Sequence, residues 1–219
     1  GTHRAMNRFR SFAYQVSKNH TRTCWVLKCD IRKFFASIDQ RILLAIVARY
    51  IPDERIRSLV AEVVGSFHST EKGKGLPLGN LTSQLLVNIY MNELDQFVKH
   101  KLKAKYYVRY ADDFVILSPD RPYLLEMVRY IALFLHERLN LELHPGKVSI
   151  RTIASGVDFL GWVLFPDHRV LRTSTKRRML KRLDGTEDEA VIHSYLGLLE
   201  HGNTQRLRAL ISIADQESF

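Results

Sequence analysis

A chain of 219 residues, 46% apolar and 26% charged, can bury one sizeable core with room for a smaller appendage. No run approaches the ~18 consecutive apolar residues of a membrane span, nothing in the sequence suggests export, and Cys24 and Cys29 alone do not suggest a zinc site or a disulfide framework. The two lone cysteines read as buried thiols of a reducing compartment, which suggests a cytoplasmic address without membrane contact. The formal charge of +10 points to a polyanionic partner, most simply nucleic acid.

The start at Gly1 reads as a boundary within a longer protein or as a trimmed end. "HRAMNRFRSFAYQVSK" (3–18) spaces Met6, Phe9, Ala13 and Val16 for a helix. "TCWVLKCD" (23–30) predicts a short strand ending in Asp30. Asp39 is placed to cap a helix over "QRILLAIVARY", and Pro52–Asp53 opens another over "ERIRSLVAEVVGSF". "HSTEKGKGLPLGN" (68–80) is a glycine-punctuated loop, and a long helix follows from Leu81 to about Leu102. Two strands, 105–110 and 113–118, meet at Asp112–Asp113, and Pro119–Asp120 starts a further helix. Short strands are expected near 147–151 and within "VDFLGWVLF" (157–165). A shift to polar, helical composition near 172 begins with the basic "TKRRMLKR" (175–182).

Apart from the insertions, the middle of the chain runs strand, helix, strand, strand, helix, strand. This is the split βαβ order of an α+β, ferredoxin-like antiparallel sheet. In that order the first strand lies beside the central hairpin, so Asp30 comes next to Asp112 and Asp113. Three carboxylates at one sheet edge repel one another unless a cation compensates them. Oxygen donors with few histidines favour Mg²⁺, with Mn²⁺ as a substitute. Two such ions ~3.5–4 Å apart can activate an attacking hydroxyl and stabilise the leaving oxygen of an in-line phosphoryl transfer. An Asp pair in a turn is, by itself, usually just a solvated turn; Asp30, the strand order and the charge together favour the site.

"YADD" (110–113) between apolar strands, with "CDIRKFF" (29–35) upstream, resembles the catalytic palm of reverse transcriptases. "GLPLGNLTSQ" (75–84), "LHPGKV" (143–148), "FLGW" (159–162) and "SYLGLLEHGNT" (194–204) resemble, in order, that family's loop–helix motif, lysine segment, primer grip and thumb. The resemblance implies a right-hand polymerase with a partial helical fingers region (1–22), a palm (23–171, with a finger-side insertion at about 40–79) and a helical thumb (172–219). It implies that Asp30, Asp112 and Asp113 are catalytic metal ligands, with the Ile31 carbonyl as a further ligand and Lys147 as general acid toward pyrophosphate. Lys33, Phe34, Phe35, Leu78 and Gly79 would face the incoming dNTP, Phe35 rejecting a ribose 2′-hydroxyl by clash. Tyr110, Gln84, Phe159, Leu160, Gly161, Trp162, Lys176, Arg177 and Arg178 would contact primer or template. A Tyr in an apolar strand is more often packing, Lys147 reads equally as a solvated surface charge, and a charged helix face is usually just solvated. The earlier fingers motif that brings Lys or Arg to the triphosphate is not matched, and Arg4, Arg8 and Arg10 are candidates in its place. The implied partners are an RNA template, a DNA primer with its growing cDNA, and dNTPs.

Pro77-Leu78-Gly79 and Ser83-Gln84 depart from the Pro-Gln-Gly and Ser-Pro of intron-encoded and retron enzymes. With "KCDIRKFFASID" and "HGNT" they resemble the reverse transcriptases of diversity-generating retroelements. Those enzymes copy a template-repeat RNA with frequent errors opposite adenine and work with a small, basic, helical accessory variability protein. Leucine in place of glutamine at 78 exchanges hydrogen-bonded checking for apolar contact, which discriminates by only ~1–3 kcal/mol, and so predicts low fidelity. A group II intron or retron-type enzyme, a catalytically silent palm-fold nucleic-acid-binding module and a nucleotide cyclase remain as alternatives.

Overall fold

Helix α1 (Thr2–Val16) buries Met6, Phe9, Ala13 and Val16, the stripe that three- and four-residue spacing places on one face. A computed structural model describes residues 1–184, 186 and 188–216. It divides the chain into a unit of Gly1–Ile150 and a second unit beginning at Arg151. After α1, the first unit continues through β1 (Trp25–Cys29), the short α2 (Phe34–Ser37), α3 (Gln40–Tyr50) and α4 (Glu54–Gly65). Asp39 caps α3 by accepting from the Arg41 and Ile42 N–H groups, and Asp53 caps α4 by accepting from Arg55 and Ile56; each such cap contributes about 1 kcal/mol. Helix α5 (Leu81–Gln96) runs into a π-helical turn, Phe97–Lys101, so the long helix expected here changes its winding over its last turn. The hairpin β2 (Tyr107–Tyr110) and β3 (Asp113–Ser118) follows, and then α6 (Arg121–Leu139), capped by Asp120 and closed by Asn140 in the left-handed conformation.

The strand β4 (Ser149–Thr152) carries the chain into the second unit. The sheet order is β2-β3-β1-β4, the ferredoxin-like arrangement. Antiparallel registers set Cys29 opposite Phe114 and Tyr110 opposite Asp113. One face of the sheet, with Leu27, Cys29, Tyr107, Phe114 and Ile116, packs into a core with Leu43, Tyr90, Leu94, Leu124, Ile131 and Leu135 of the helices. Each fully buried Leu, Ile or Phe there contributes about 1.5–3 kcal/mol. Strand alternation turns Val26, Lys28, Val108, Tyr110, Asp113 and Val115 to the other face, where α1 packs on β2 and β3. The expected strand at 147–151 begins at Ser149 because residues 144–147 form a turn, with the Lys147 N–H donating to the His144 carbonyl.

In the second unit, the short strands expected within "VDFLGWVLF" form a hairpin. Strands β5 (Val157–Phe159) and β6 (Trp162–Leu164) flank a turn at Leu160–Gly161, and β7 (Arg169–Leu171) joins them in a three-stranded antiparallel sheet. Helices α7 (Thr173–Leu183), α8 (Glu189–Leu199) and α9 (Gln205–Gln216) follow. A side chain at Gly202 would collide with the indole of Trp162, which explains the glycine of "HGNT". The composition shift at 172 coincides with α7, but the compact unit begins at Arg151 because the small sheet ties to the segment after α8. There the Asn203 N–H donates to the Arg169 carbonyl. Among the described residues, no helix is long and apolar enough to cross a membrane.

Candidate active site

The register that pairs Cys29 with Phe114 brings Asp30, one residue past β1, beside Asp113, the first residue of β3. Asp112 lies in the two-residue turn before it. Ala111, the other turn residue, takes φ +53°, a left-handed conformation that costs a non-glycine residue on the order of 1 kcal/mol. Asp112 and Asp113 both sense the charge of Asp30. Burial first, and then the charge of Asp30, raises the Asp112 carboxyl above its ordinary range. Burial likewise pushes Asp113 up to about 6, with Asp30 and Asp112 adding to the rise and Lys28 opposing it. Two lysines answer this repulsion. Lys28 reaches Asp113 at 3.5 Å, and the Lys147 ammonium stands 3.1 Å from each carboxylate oxygen of Asp30.

Oδ1 of Asp113 is buried without a hydrogen-bond partner, an oxygen that calls for a cation or a donor. Among the described residues, no three His, Cys, Asp or Glu side chains are arranged as a metal-binding group. Mg²⁺ is commonly held by one or two carboxylates, with water and substrate phosphate completing its shell. Asp112, partly buried and raised in part by the charge of neighbouring Asp30, fits with Asp30 that smaller contribution. Ile31 fits as well. It bridges Leu143, with the His144 N–H donating to the Asp30 carbonyl and the Arg32 N–H to the Glu142 carbonyl. Backbone directions alternate along an extended strand, so the Ile31 carbonyl points away from residues 142–144.

Of the residues expected at the dNTP, Lys33 is exposed in a left-handed conformation ahead of α2, Phe34 is buried in the core and Phe35 is half-buried against it, edge-on to Phe34 at 5.4 Å. The Phe34 side chain is therefore core, which leaves Phe35 as the ring available to a ligand. Leu78 is 78% exposed, next to Gly79 at φ +87°. Loop 66–80 is anchored by the buried Gln40 amide, which donates to the carbonyls of Val64, Phe67 and Gly75. Gln84 is exposed on the first turn of α5. Tyr110 is 41% exposed. Arg4 and Arg8 line a cleft of about 520 Å³ that also touches Val108 and Tyr110, along the edge strand of the sheet, and Arg10 is exposed on α1.

Phe159, Leu160, Gly161 and Trp162 lie in the second unit. Phe159 and Trp162 are buried, and the turn residues Leu160 (φ +52°) and Gly161 (φ +84°) are the accessible part of this segment. Lys176, Arg177 and Arg178 are exposed on α7, whose buried anchor is Met179.

Two participants escaped sequence reasoning. Lys28 was the legible one, since a lysine two residues before Asp30 in a strand must share its face. Arg109, in β2 just before the turn, carries the other charge built into the hairpin.

Comparison with known proteins bears on the family and the fold. The family model described as "Reverse transcriptase (RNA-dependent DNA polymerase)" matches residues 2–164. "Protein YkfC" of Escherichia coli (strain K12) is 26% identical over 193 residues, covering 71% of this chain and 49% of that protein. The "Group II intron-encoded protein LtrA" of Lactococcus lactis subsp. cremoris is 26% identical over 226 residues, covering 70% and 36%. The chain thus spans half or less of the length of these relatives. Among solved structures, telomerase from Candida tropicalis in complex with a fragment of telomeric RNA superimposes with a TM-score of 0.63 at 12% identity, over 98% of this chain and 44% of that one. That likeness is one of fold. With the palm order, the converging acids and a family match across most of its length, the chain belongs to the reverse transcriptase (RNA-dependent DNA polymerase) family.

Proposed function

We propose that this chain carries the polymerase centre of an error-prone reverse transcriptase of a diversity-generating retroelement, extending a DNA primer on an RNA template with dNTPs. The observation that carries the polymerase reading is the convergence of Asp30, Asp112 and Asp113, with Lys147 on Asp30. Asp30, Asp112 and the Ile31 carbonyl would hold Mg²⁺, as two ions or with Mn²⁺ in their place, and Asp113 would stand behind them, partly neutralised by Lys28. When bound, the metal supplies Lewis-acid charge to the phosphates and the attacking oxygen. The primer 3′-hydroxyl gives up its proton to solvent as its oxygen bonds to the α-phosphorus and the bond to pyrophosphate breaks, and Lys147 is the proton donor to the leaving oxygen. Phe35 excludes a ribose 2′-hydroxyl, and Leu78 offers the nascent pair a surface without a hydrogen bond. Tyr110 lies along the primer end, Gln84 faces the template, and the cations of α7 follow duplex phosphates. RNA in the Candida telomerase complexes supports an RNA partner by analogy, and a basic helical accessory protein completes the retroelement reading.

The resemblance to a group II intron-encoded protein favours a second reading, an intron-type enzyme with a drifted loop motif. Sequencing the cDNA made on a defined RNA separates the two. Errors concentrated at template adenines support the retroelement reading, and a flat, low error spectrum supports the intron-type reading.

A further inference from the structure

We propose that Arg109 is a positioning residue, whose guanidinium clamps the Ala111–Asp112 turn to α5 and so fixes the backbone that carries the catalytic acids. Its effect on rate rests on the polymerase reading above; its effect on the turn does not.

The guanidinium is committed in two directions. On one side Nε and Nη2 donate to the two carboxylate oxygens of Asp95 at 2.8 and 2.6 Å, the bidentate geometry that makes Arg–carboxylate pairs both strong and directional. On the other side Nη1 donates to the Ala111 carbonyl at 3.0 Å and to Oδ1 of Asn88 at 3.3 Å. Asn88 is itself oriented, because its amide nitrogen donates to the Gln84 carbonyl. Tyr107 adds a hydroxyl bond to Asp95 at 2.8 Å. Asn88 and Asp95 are seven residues apart on α5 and share a face, so one guanidinium spans from the helix to the turn.

The turn needs such a hold. β2 is the edge of its sheet, so the strand that leads into the turn has ladder bonds on one side only. Ala111 is in a left-handed conformation, which persists only where the surroundings over-determine it. The Arg109 side chain is 9% exposed, and water competes little for these bonds. Lysine at 109 would keep the charge opposite Asp95, but one ammonium cannot reproduce a planar fork that also reaches Ala111.

The test compares Arg109→Lys with wild type by thermal melting, amide hydrogen exchange at 111–113 and single-nucleotide incorporation. Arg49→Lys serves as control, since the Arg49–Glu93 pair at 2.7 Å also ends on α5 but does not touch the hairpin. The clamp predicts that R109K melts near wild type while the turn amides exchange at least about tenfold faster. It predicts a kcat lower by roughly 10- to 100-fold, the cost of a misplacement of order 1 Å, with KM for dNTP little changed and R49K unaffected. Should R109K fail to fold, the charge-free double variant Asp95→Asn/Arg109→Gln must show the same loosened turn. Wild-type exchange at 111–113 in either folded variant overturns the clamp, as does an unchanged kcat in R109K. If wild type itself extends no primer, the polymerase reading fails and hydrogen exchange alone decides the clamp.

Discussion

The ammonium group of Lys147 sits 3.1 Å from both carboxylate oxygens of Asp30, a residue 117 positions earlier in the chain. A lysine so placed can act as a counter-charge, as a proton donor, or as both, and substitution separates the roles. Lys147→Arg keeps the ion pair but cannot release a proton near neutral pH. Single-turnover incorporation should fall by about 10²- to 10³-fold in Lys147→Arg as in Lys147→Met, the range expected for a lost general acid. Near-wild-type rates in the arginine variant would reduce Lys147 to a counter-charge.

The buried acids predict a pH dependence of stability in metal-free buffer. The folded chain holds the Asp113 proton up to about pH 6, whereas the ordinary value is 3.8. Between these values the folded state binds more protons than the unfolded state, so stability falls as pH rises. The stability is fully present below about pH 4 and lost through about pH 6, by about 3 kcal/mol at most from Asp113, with Asp112 shifted in the same direction. Urea unfolding of wild type and Asp113→Asn without divalent metal should show the wild type losing ground to the variant across that window. A pH-independent difference would mean that the carboxyl is not raised.

Phe35 and Leu78 predict two separable changes in nucleotide choice. Phe35→Ala should raise ribonucleotide incorporation by about tenfold or more, as expected when a steric rejection is removed. Leu78→Gln should lower misincorporation opposite template adenine and leave sugar selection alone. Competition assays and cDNA sequencing read the two effects independently.

The exposed cations of α7 predict a salt signature. Replacing Lys176, Arg177 and Arg178 with glutamine should weaken duplex binding and flatten log Kd against log salt by about 0.9 for each phosphate no longer neutralised. An unchanged slope would show that this helix face is merely solvated.

Much of this site was legible because its signals are local. Apolar spacing marks α1, Asp39, Asp53 and Asp120 mark helix starts, and strand order alone places Asp30 beside the hairpin. What sequence could not supply depends on neighbours. Arg109 and Asp95 are fourteen residues apart and become a pair only once α5 packs against β2. The turn at Leu160 was hidden because a leucine there adopts a conformation usually left to glycine, and three-residue β7 is too short to show a period. Whether Phe34 or Phe35 enters the core was decided by packing.

The most direct measurement is addition of one dNTP to a DNA primer on an RNA template with Mg²⁺, comparing wild type with Asp112→Ala. Extension by wild type and a loss of at least about 10³-fold in the variant, with the variant still folded, is the predicted result. Equal extension by both proteins would contradict the assignment of these acids as the centre of the chemistry.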